Sequence, residues 1–389
     1  MNNLSVEELA LQRKRFAHLS DDEFRFMLQQ VEGRQRTRDK LPTFAQIEDW
    51  WYPVRLSCEQ CSSEATARYK AQRISSLISN KQFSCTDLTG GYGVDTYFMS
   101  EHASEAHYVE RNEELCRIAR HNFANTRPQV QIHNTDSVSF LQNMHTCDVA
   151  YIDPARRNPN GGKVFRIEDC EPNIIELLDC LLSKCELLAI KLSPMLDISA
   201  ALKSMNKSCL VDVVAVRNEV KEVLIIIQKA QEIPTKIRAI NITSNEGLNA
   251  NQCIEFSLEE EKDSTCSVYD NSFAHLAKTG AYIYEPNAAI IKAGAFKLIA
   301  ERYSLCKMSP NTHLYLSQHL VEDFPGRVWQ ILESNIKDAK DTPANILTRN
   351  YPLTPEQLRK KLKVKDSDTH TIIGARLADK PTLFLCKKI

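Results

Sequence analysis

The feature that most constrains the fold is an alternation of short apolar segments and helix-like segments from residue 83 onward. The predicted strands are FSCTDL, AHYVE, VQIHN, CDVAYID and ELLAIKLS, with helix-like segments such as NEELCRIARHNFAN and NIIELLDCLLSK between them. This βαβ alternation predicts a parallel sheet with helices on both faces. Two further strands, LVDVVAV and EVLIIIQ, are separated only by RNEVK. That gap is too short for a helical crossover, so the two strands should pair antiparallel as a hairpin at one end of the sheet.

The pattern divides the chain into five predicted segments. Residues 1–45 predict helices, with a capping box at Ser20 and Glu23. Residues 46–235 carry the α/β alternation, and residues 236–273, which include the acidic stretch SLEEEKDS, predict a connector or extension with an exposed edge. Residues 274–323 predict a small α/β unit with a helix after Pro286, and residues 324–389 predict a further compact α/β domain.

Composition excludes several classes of protein. The formal net charge of the 389 residues is −1, which does not indicate a polyanion binder over the whole chain and leaves local basic patches open. The N-terminus lacks the apolar segment of a signal peptide, and the longest apolar runs, such as VLIII, are too short to span a bilayer. Thirteen cysteines without a secretion signal predict reduced thiols and a cytoplasmic location. Cys58 and Cys61 form a CxxC pair with no second pair to complete a zinc site, so we expect no metal.

A glycine-rich turn follows the first predicted strand. Asp87 ends the strand, and Gly90, Gly91 and Gly93 precede the next helix. Glycines at the carboxyl end of a strand allow a ligand to approach the backbone, although a tight turn without a ligand has the same composition. The third glycine of a dinucleotide fingerprint is replaced by Thr96, and a carboxylate directly before the loop disfavours a pyrophosphate. That carboxylate suits an ammonium group, such as the one on S-adenosylmethionine.

Two more acidic residues end the next two strands. Glu110 follows Asp87 by 23 residues and can accept hydrogen bonds from both ribose hydroxyls. Asp136 follows the third strand, where an adenine amino group would lie. Each acid alone is typical of a protein surface. Three acids at the ends of three consecutive strands favour an adenosyl ligand.

These motifs resemble those of a known family. DLTGGYGVD, YVERN, NTDS and YIDPARR are similar to the successive motifs of class I S-adenosylmethionine-dependent methyltransferases. The chain resembles more closely the bacterial methyltransferases with a C-terminal THUMP-like domain, through SSEATARYKA, KLSPMLD, NEVKEVLI, EPNAAIIKAG and ILTRNYPLTPEQLRKKLKV. The resemblance implies a seven-stranded Rossmann-like sheet with an antiparallel end hairpin, N-terminal helices, a ferredoxin-like unit at 274–323 and a THUMP-like domain at 324–389.

The resemblance also implies S-adenosylmethionine as the cofactor and a set of residues that bind it. The segment SEATARYKA folds over the cofactor in the family, although an ordinary amphipathic helix is an equal alternative here. The implied cofactor-binding residues are Tyr69, Lys70, Asp87, Thr89, Gly90, Gly91, Gly93, Asp95, Glu110, Arg111, Asp136 and Ser137.

The motif DPARR after the fourth strand concerns catalysis. In related nucleic-acid amino-methyltransferases, an acid or amide followed by proline holds the target amino group, which implies this role for Asp153 and Pro154. Those enzymes continue with a second proline and an aromatic residue. Here Ala155 and Arg156 stand in those places, which leaves the target atom open. Methylation of a pyrimidine carbon would need a nucleophilic cysteine, and neither DPARR nor KLSPM provides one.

Several basic residues are candidates for contact with the substrate. Arg156 or Arg157 can stack on a base or contact a phosphate, or can be ordinary surface charge. Lys191 in AIKLSP is either a site residue or a strand-end lysine that reaches solvent. Residues 359–389 hold nine basic and three acidic side chains, a net charge of +6. Arg359, Lys360 and Lys361 head this basic segment and predict phosphate contact.

The predicted activity is S-adenosylmethionine-dependent methylation of a base nitrogen in rRNA or tRNA, since THUMP domains are associated with RNA. A sequence pI of about 6.8 and the missing aromatic residue keep a protein or small-molecule substrate as an alternative. A non-catalytic RNA-binding protein is the third possibility. The sequence leaves open the target base and atom, the RNA and the oligomeric state.

Overall fold

The structure is a computed structural model that describes residues 5–80, 82–156, 166–229, 234–243, 252–337 and 342–389. The chain forms two compact units. The first comprises residues 1–210 and 221–233, and the second comprises residues 211–220 and 234–389.

The strands and helices are numbered in chain order. The strands are β1 (Phe83–Asp87), β2 (Ala103–Glu110), β3 (Val130–Asn134), β4 (Cys147–Ile152), β5 (Ala155–Arg156), β6 (Cys170–Glu171), β7 (Cys185–Leu192), β8 (Leu210–Val216), β9 (Glu219–Gln228), β10 (Lys236–Ile242), β11 (Cys253–Ser257), β12 (Tyr282–Pro286), β13 (Cys306–Ser309), β14 (Thr312–Ser317), β15 (Gly326–Ser334), β16 (Asn345–Arg349), β17 (Thr371–Leu377) and β18 (Lys380–Lys388). The helices are α1 (Val6–Leu11), α2 (Asp21–Thr37), α3 (Pro42–Gln46), α4 (Arg55–Gln60), α5 (Glu64–Leu77), α6 (Val94–Met99), α7 (Glu113–Ala124), α8 (Ser137–Asn143), α9 (Ile174–Lys184), α10 (Ile198–Met205), α11 (Leu258–Asp263), α12 (Ala288–Ala293), α13 (Phe296–Arg302) and α14 (Pro355–Leu362).

The sheet of the first unit has the strand order β3-β2-β1-β4-β7-β9. The pairs β3-β2, β2-β1, β1-β4 and β4-β7 are parallel, and β9 runs antiparallel to β7. This arrangement confirms the predicted α/β class. Because β1 to β4 are parallel, their carboxyl ends meet at one edge of the sheet, and Asp87, Glu110 and Asp153 end or follow three of them.

The predicted hairpin is formed by β8 and β9. The two strands are joined by Arg217 and Asn218, whose φ angles are 51° and 65°. A two-residue connection with both residues at positive φ is the turn that matches the twist of antiparallel strands. The strands therefore extend further into RNEVK than the sequence predicts, since β9 already begins at Glu219.

The core of the first unit packs between the central strands and the helices around them. Strands β4, β7 and β9 are buried along most of their length, as expected when helices cover both faces of a parallel sheet. The N-terminal helices α1 and α2 share a small core of Leu9, Phe16 and Phe24. The predicted capping box at Ser20 and Glu23 is present at the start of α2.

The second unit contains a seven-stranded sheet of order β13-β14-β12-β15-β18-β17-β16. Its neighbouring strands are antiparallel except β16 and β17, which are parallel. The acidic stretch predicted as an exposed connector forms helix α11, which has no buried residues. The Glu261 carboxylate of this helix accepts hydrogen bonds from the backbone N–H groups of Lys297 and Leu298, both at 2.9 Å. Helix α11 therefore lies at the surface and also caps the start of α13.

Among the residues that the structure describes, no helix combines the length and the apolar character needed to cross a membrane.

Candidate active site

The glycine turn between β1 and α6 is shaped partly by packing within the protein. A Cβ atom on Gly90 would lie 2.2 Å from the ring of Tyr108, and Gly93 has a φ of 86° where α6 begins. Gly91 differs, because with a φ of 53° an added Cβ would meet only the Thr89 carbonyl oxygen, at 3.8 Å. The backbone at Gly91 therefore faces open space that a ligand can enter.

Asp87 lies beneath this turn and is 1% exposed. Its Oδ2 accepts a hydrogen bond from Thr96 Oγ1 at 2.6 Å, and its Oδ1 accepts one from the backbone N–H of Thr89 at 3.0 Å. Burial raises the pKa of Asp87 to about 7, and the nearby charges of Asp95 and Asp153 act in the same direction. Thr96, at the position where a dinucleotide fingerprint has its third glycine, thus has a hydrogen-bonding role.

The acids after β2 and β3 lie along the same edge of the sheet. Glu110 accepts hydrogen bonds from the backbone N–H groups of Gly91 at 3.0 Å and Asn112 at 2.8 Å. Asp136 caps α8, where its Oδ1 accepts a hydrogen bond from the Ser139 N–H at 2.9 Å. Hydrogen bonds from the Ser139 hydroxyl and from this N–H hold the pKa of Asp136 below its usual value. Glu110 is thus tied directly to the glycine turn, whereas Asp136 has one oxygen engaged in a helix cap.

Arg111 and Ser137 stand beside these two acids in the sequence. Arg111 is exposed, and its Nη1 lies 3.5 Å from a carboxylate oxygen of Glu171. Ser137 is the first residue of α8. Arg111 therefore takes part in an ion pair at the surface, and Ser137 follows the capping acid.

Asp153 connects the glycine turn to the fourth strand. Its backbone N–H donates a hydrogen bond to Thr89 Oγ1 at 2.6 Å, and Lys191 Nζ, at the end of β7, donates one to its Oδ2. Pro154, which follows, is buried. Burial alone would lower the pKa of Lys191, but the charges of Asp153, Glu222 and Asp95 outweigh burial and raise that pKa above its usual value. Lys191 is therefore a cation bound inside the site.

A second lysine, Lys70, lies at the centre of a buried charge cluster. It is 0% exposed, and its Nζ lies 2.7 Å from both carboxylate oxygens of Glu222 and 3.1 Å from Asp95 Oδ1. Asp95 Oδ2 accepts hydrogen bonds from Ser62 Oγ at 2.7 Å and Tyr151 OH at 3.0 Å. Burial opposes ionisation of Asp95, but Lys70 and Lys191 outweigh it and hold its pKa below the usual value. Below, the charge cluster means Lys70, Asp95, Glu222, Lys191 and Asp153.

The structure brings together most of the residues selected from the sequence, although two arginines cannot be placed. Hydrogen bonds link Thr89 to both Asp87 and Asp153, and another links Gly91 of the same turn to Glu110. Tyr69 is buried in α5, one residue before Lys70. Arg157 and the side chain of Arg156 lie outside the described residues.

Three residues of the site were not predicted from the sequence: Ser62, Tyr151 and Glu222. The clearest missed signal is Glu222, because a single acid directly before the apolar run VLIII predicts either a strand end or a buried charge with a partner. The sequence carries no comparable signal for Ser62 or Tyr151, since hydroxyl groups occur throughout the chain.

The predicted phosphate-contacting residues lie in the second unit, on α14. Leu358 and Leu362 of this helix are buried, while Lys360 and Lys361 are exposed. Arg359 forms an ion pair with Asp366. Two of the three predicted basic residues are thus available to solvent.

The CxxC pair lies at helix α4. Cys58 is buried, and its Sγ donates a hydrogen bond to the carbonyl oxygen of Pro53 at 3.4 Å. Burial raises the pKa of Cys58 to about 12, so its thiol is protonated at neutral pH. In the described ranges, no group of three or more histidine, cysteine or acidic side chains is arranged to hold a metal ion.

Comparison with known proteins places these features among methyltransferases. A family model described as a ferredoxin-like domain matches residues 282–325, and one described as THUMP domain-like matches residues 326–388. The crystal structure of a candidate methyltransferase from Porphyromonas gingivalis W83 is 33% identical, covers 100% of this chain and 95% of its own, and superposes with a TM-score of 0.85. Two curated Mycobacterium tuberculosis proteins, from strains CDC 1551 and H37Rv, are described as uncharacterized S-adenosylmethionine-dependent methyltransferases. Each is 22% identical over 351 residues, which is 87% of this chain and 89% of theirs.

Proposed function

Because this chain belongs to the S-adenosylmethionine-dependent methyltransferases with a C-terminal THUMP-like domain, we propose that it methylates a base nitrogen of RNA. The observation that carries the proposal is the hydrogen bond from the Asp153 N–H to Thr89 Oγ1. This bond joins the Asp-Pro turn to the glycine turn. A target nitrogen held by Asp153 would therefore lie next to a cofactor bound at Gly91.

The residues at the glycine turn fit the cofactor. Asp87 offers a carboxylate for its ammonium group, Glu110 offers carboxylate oxygens for the ribose hydroxyls, and Gly91 leaves room beside the backbone. The bound cofactor supplies an electrophilic methyl group on a sulfonium.

Asp153 and Pro154 would orient the acceptor. Asp153 Oδ1 accepts no hydrogen bond from the described residues, so it can accept one from an N–H of the target base. Proline fixes φ, which stiffens the turn that carries the carboxylate. The proton that the nitrogen loses after transfer can pass to Asp153 or to water. Positioning and local electrostatics would supply most of the rate enhancement.

The second unit supports RNA as the substrate class. Its residues 326–388 match a THUMP domain-like family, and residues 359–389 carry a net charge of +6. Exposed lysines on α14 can neutralise phosphates, and such contacts make binding weaken as the salt concentration rises. A protein or small-molecule acceptor is the competing outcome.

The test combines cofactor binding with transfer of a labelled methyl group. Isothermal titration with S-adenosylhomocysteine measures the cofactor site, and tritiated S-adenosylmethionine is offered with total RNA or with total protein. We expect label in RNA. Label in protein alone would reject the RNA assignment while leaving the methyltransferase assignment intact.

A matched pair of variants tests the role of Asp153. Asp153→Ala should bind S-adenosylhomocysteine within about 3-fold of the wild type and lose roughly 100-fold or more in transfer. The control is Asp179→Ala, because the Asp179 side chain on α9 is 95% exposed and lies in the same unit. Equal loss of binding and transfer in Asp153→Ala would indicate a structural role for Asp153.

A further inference from the structure

The Asp153 carboxylate is held from outside its own motif. The backbone N–H is bonded to Thr89 Oγ1, Oδ2 is bonded to Lys191 Nζ, and the next residue is the buried Pro154. These three constraints fix the backbone and the side-chain torsion of Asp153. Among the residues that the structure describes, they leave Oδ1 as the carboxylate oxygen that a substrate can reach, in a side chain that is 35% exposed.

Lys191 is itself confined. Its side chain is 14% exposed, at the carboxyl end of β7, and it experiences the charges of Asp153, Glu222 and Asp95. Glu222 and Asp95 are in turn bonded to the fully buried Lys70. The position of Lys191 is therefore fixed by the members of the charge cluster on β9, α6 and α5.

The charge balance of the cluster indicates what Lys191 does. The charge cluster contains two lysines and three carboxylates, so one negative charge is in excess. Lys70 alone faces both Asp95 and Glu222, so Lys191 is the cation that neutralises the partly exposed Asp153. A lysine whose only purpose was to reach solvent would not end 14% exposed on an acid at the edge of the sheet.

We infer that Lys191 is a positioning residue for methyl transfer, which holds Asp153 so that Oδ1 meets the target nitrogen. The inference rests on the proposed role of Asp153. In this role Lys191 contacts neither the cofactor nor the acceptor. It acts through the Asp153 carboxylate. The charge cluster supplies the rigidity, since each of its ions has a hydrogen-bonded or ion-paired partner within the first unit.

The first experiment compares two substitutions of Lys191 in the full-length protein. Lys191→Met keeps the length of the side chain and removes the ammonium, whereas Lys191→Arg keeps the positive charge. We expect Lys191→Met to lower kcat by up to about 100-fold, the loss that a 1 Å displacement can cause. The Kd for S-adenosylhomocysteine should stay within about 3-fold of the wild type, and Lys191→Arg should recover part of kcat.

A matched control lies at the other end of the same strand. Lys184 directly precedes β7, and its Nζ donates a hydrogen bond to the Met144 carbonyl oxygen at 2.8 Å. Lys184→Met should leave kcat unchanged. Unchanged kcat in Lys191→Met, or equal loss of cofactor binding and kcat, would overturn the inference.

The second experiment is a double-mutant cycle between Lys191 and Asp153. If Lys191 acts through Asp153, Lys191→Met should cause no further loss of kcat in an Asp153→Ala background. Independent, additive losses would mean that Lys191 supports the pocket in another way, and would reject the inference.

The same data separate failure of the inference from failure of the proposed function. Normal transfer by Asp153→Ala would reject the role of Asp153 and the inference with it. Impaired Asp153→Ala with normal Lys191→Met would reject the inference alone. The cycle is measured with total RNA, or with total protein if the label appears there, so a wrong substrate class does not affect its result. Transfer to neither acceptor would overturn the proposed function and the inference together.

Discussion

Replacing Lys70 by methionine should cost more stability than an ordinary substitution in this unit. Lys70 is 0% exposed, and the Glu222 side chain that it neutralises is 2% exposed. Methionine matches the shape of lysine without the charge, so the change creates little cavity. It removes the only partner that lies 2.7 Å from both Glu222 oxygens among the described residues.

The expected loss in the free energy of unfolding follows from the charges that remain without a partner. The charge cluster has an excess of one negative charge, and Lys70→Met raises that excess to two beside the Glu222 and Asp95 side chains, which are only 2% and 12% exposed. Removing one partner of a buried ion pair typically costs about 3–5 kcal/mol, because the other charge remains buried without compensation. Lys70→Met/Glu222→Leu restores the original excess of one, and it should recover most of the loss.

The assay is urea unfolding followed by tryptophan fluorescence in a Trp329→Phe background. The chain has three tryptophans, and without Trp329 the remaining two, Trp50 and Trp51, both report on the first unit. The signal therefore separates the unfolding of that unit from the rest of the chain. Exposed Lys203→Met, on α10, is the control for loss of a lysine charge and should change the free energy of unfolding by less than about 0.5 kcal/mol.

Two results would refute this reasoning. A loss below about 1 kcal/mol in Lys70→Met is the size expected of a solvent-exposed ion pair, and would show that the cluster is hydrated. A double variant as unstable as the sum of the two single variants would show that Lys70 and Glu222 do not compensate each other.

Further predictions concern the glycine turn, the acids and the basic helix. Gly90→Ala should destabilise the first unit and abolish binding of S-adenosylhomocysteine measured by calorimetry, because the new Cβ would overlap the Tyr108 ring. Glu110→Ala should weaken that binding by roughly 10- to 100-fold, because the variant cannot form charge-assisted hydrogen bonds with the ribose. The pKa of Asp87, about 7, exceeds the unfolded value of about 3.9, so its contribution to stability is greatest below about pH 4 and is lost as pH rises towards 7. Asp87→Asn should remove this pH dependence from urea unfolding midpoints. Replacing Arg359, Lys360 and Lys361 by alanine should make RNA binding less sensitive to salt. In filter-binding assays with single-stranded RNA, the slope of log K against log salt concentration should decrease in magnitude by about 0.7 for each phosphate that these side chains neutralise in the wild type.

The parallel sheet and its acids could be predicted because both follow local rules. Short apolar segments alternating with helices admit few topologies, and parallel strands bring their carboxyl ends to one edge. Asp87 and Glu110 could therefore be assigned to one site from their positions in the sequence. The hairpin was predicted for the same reason, since a short connection leaves only an antiparallel pairing.

The partners of the buried charges could not be predicted, because they are set by packing between distant segments. Lys70 and Glu222 are 152 residues apart, and Lys191 and Asp153 are 38 residues apart. No spacing rule relates such pairs. The clue that was available is chemical: a lysine in the middle of a buried helix face and an acid before an apolar strand each need a compensating charge. The structure shows that they compensate each other.

This chain lacks two residues of the usual Asp-Pro motif, and contacts from outside the motif can replace their effect on Asp153. A second proline and an aromatic ring would stiffen the turn after Asp153 from within the motif, and Ala155 and Arg156 do not. Here the constraints on Asp153 come from Thr89 and Lys191, which belong to the glycine turn and to β7. If contacts from outside the motif hold the turn rigid, Thr89→Ala and Lys191→Met should both lower kcat, while Ala155→Pro should not raise it. A large gain in kcat from Ala155→Pro would mean that the turn is loose and that these external contacts do not hold it.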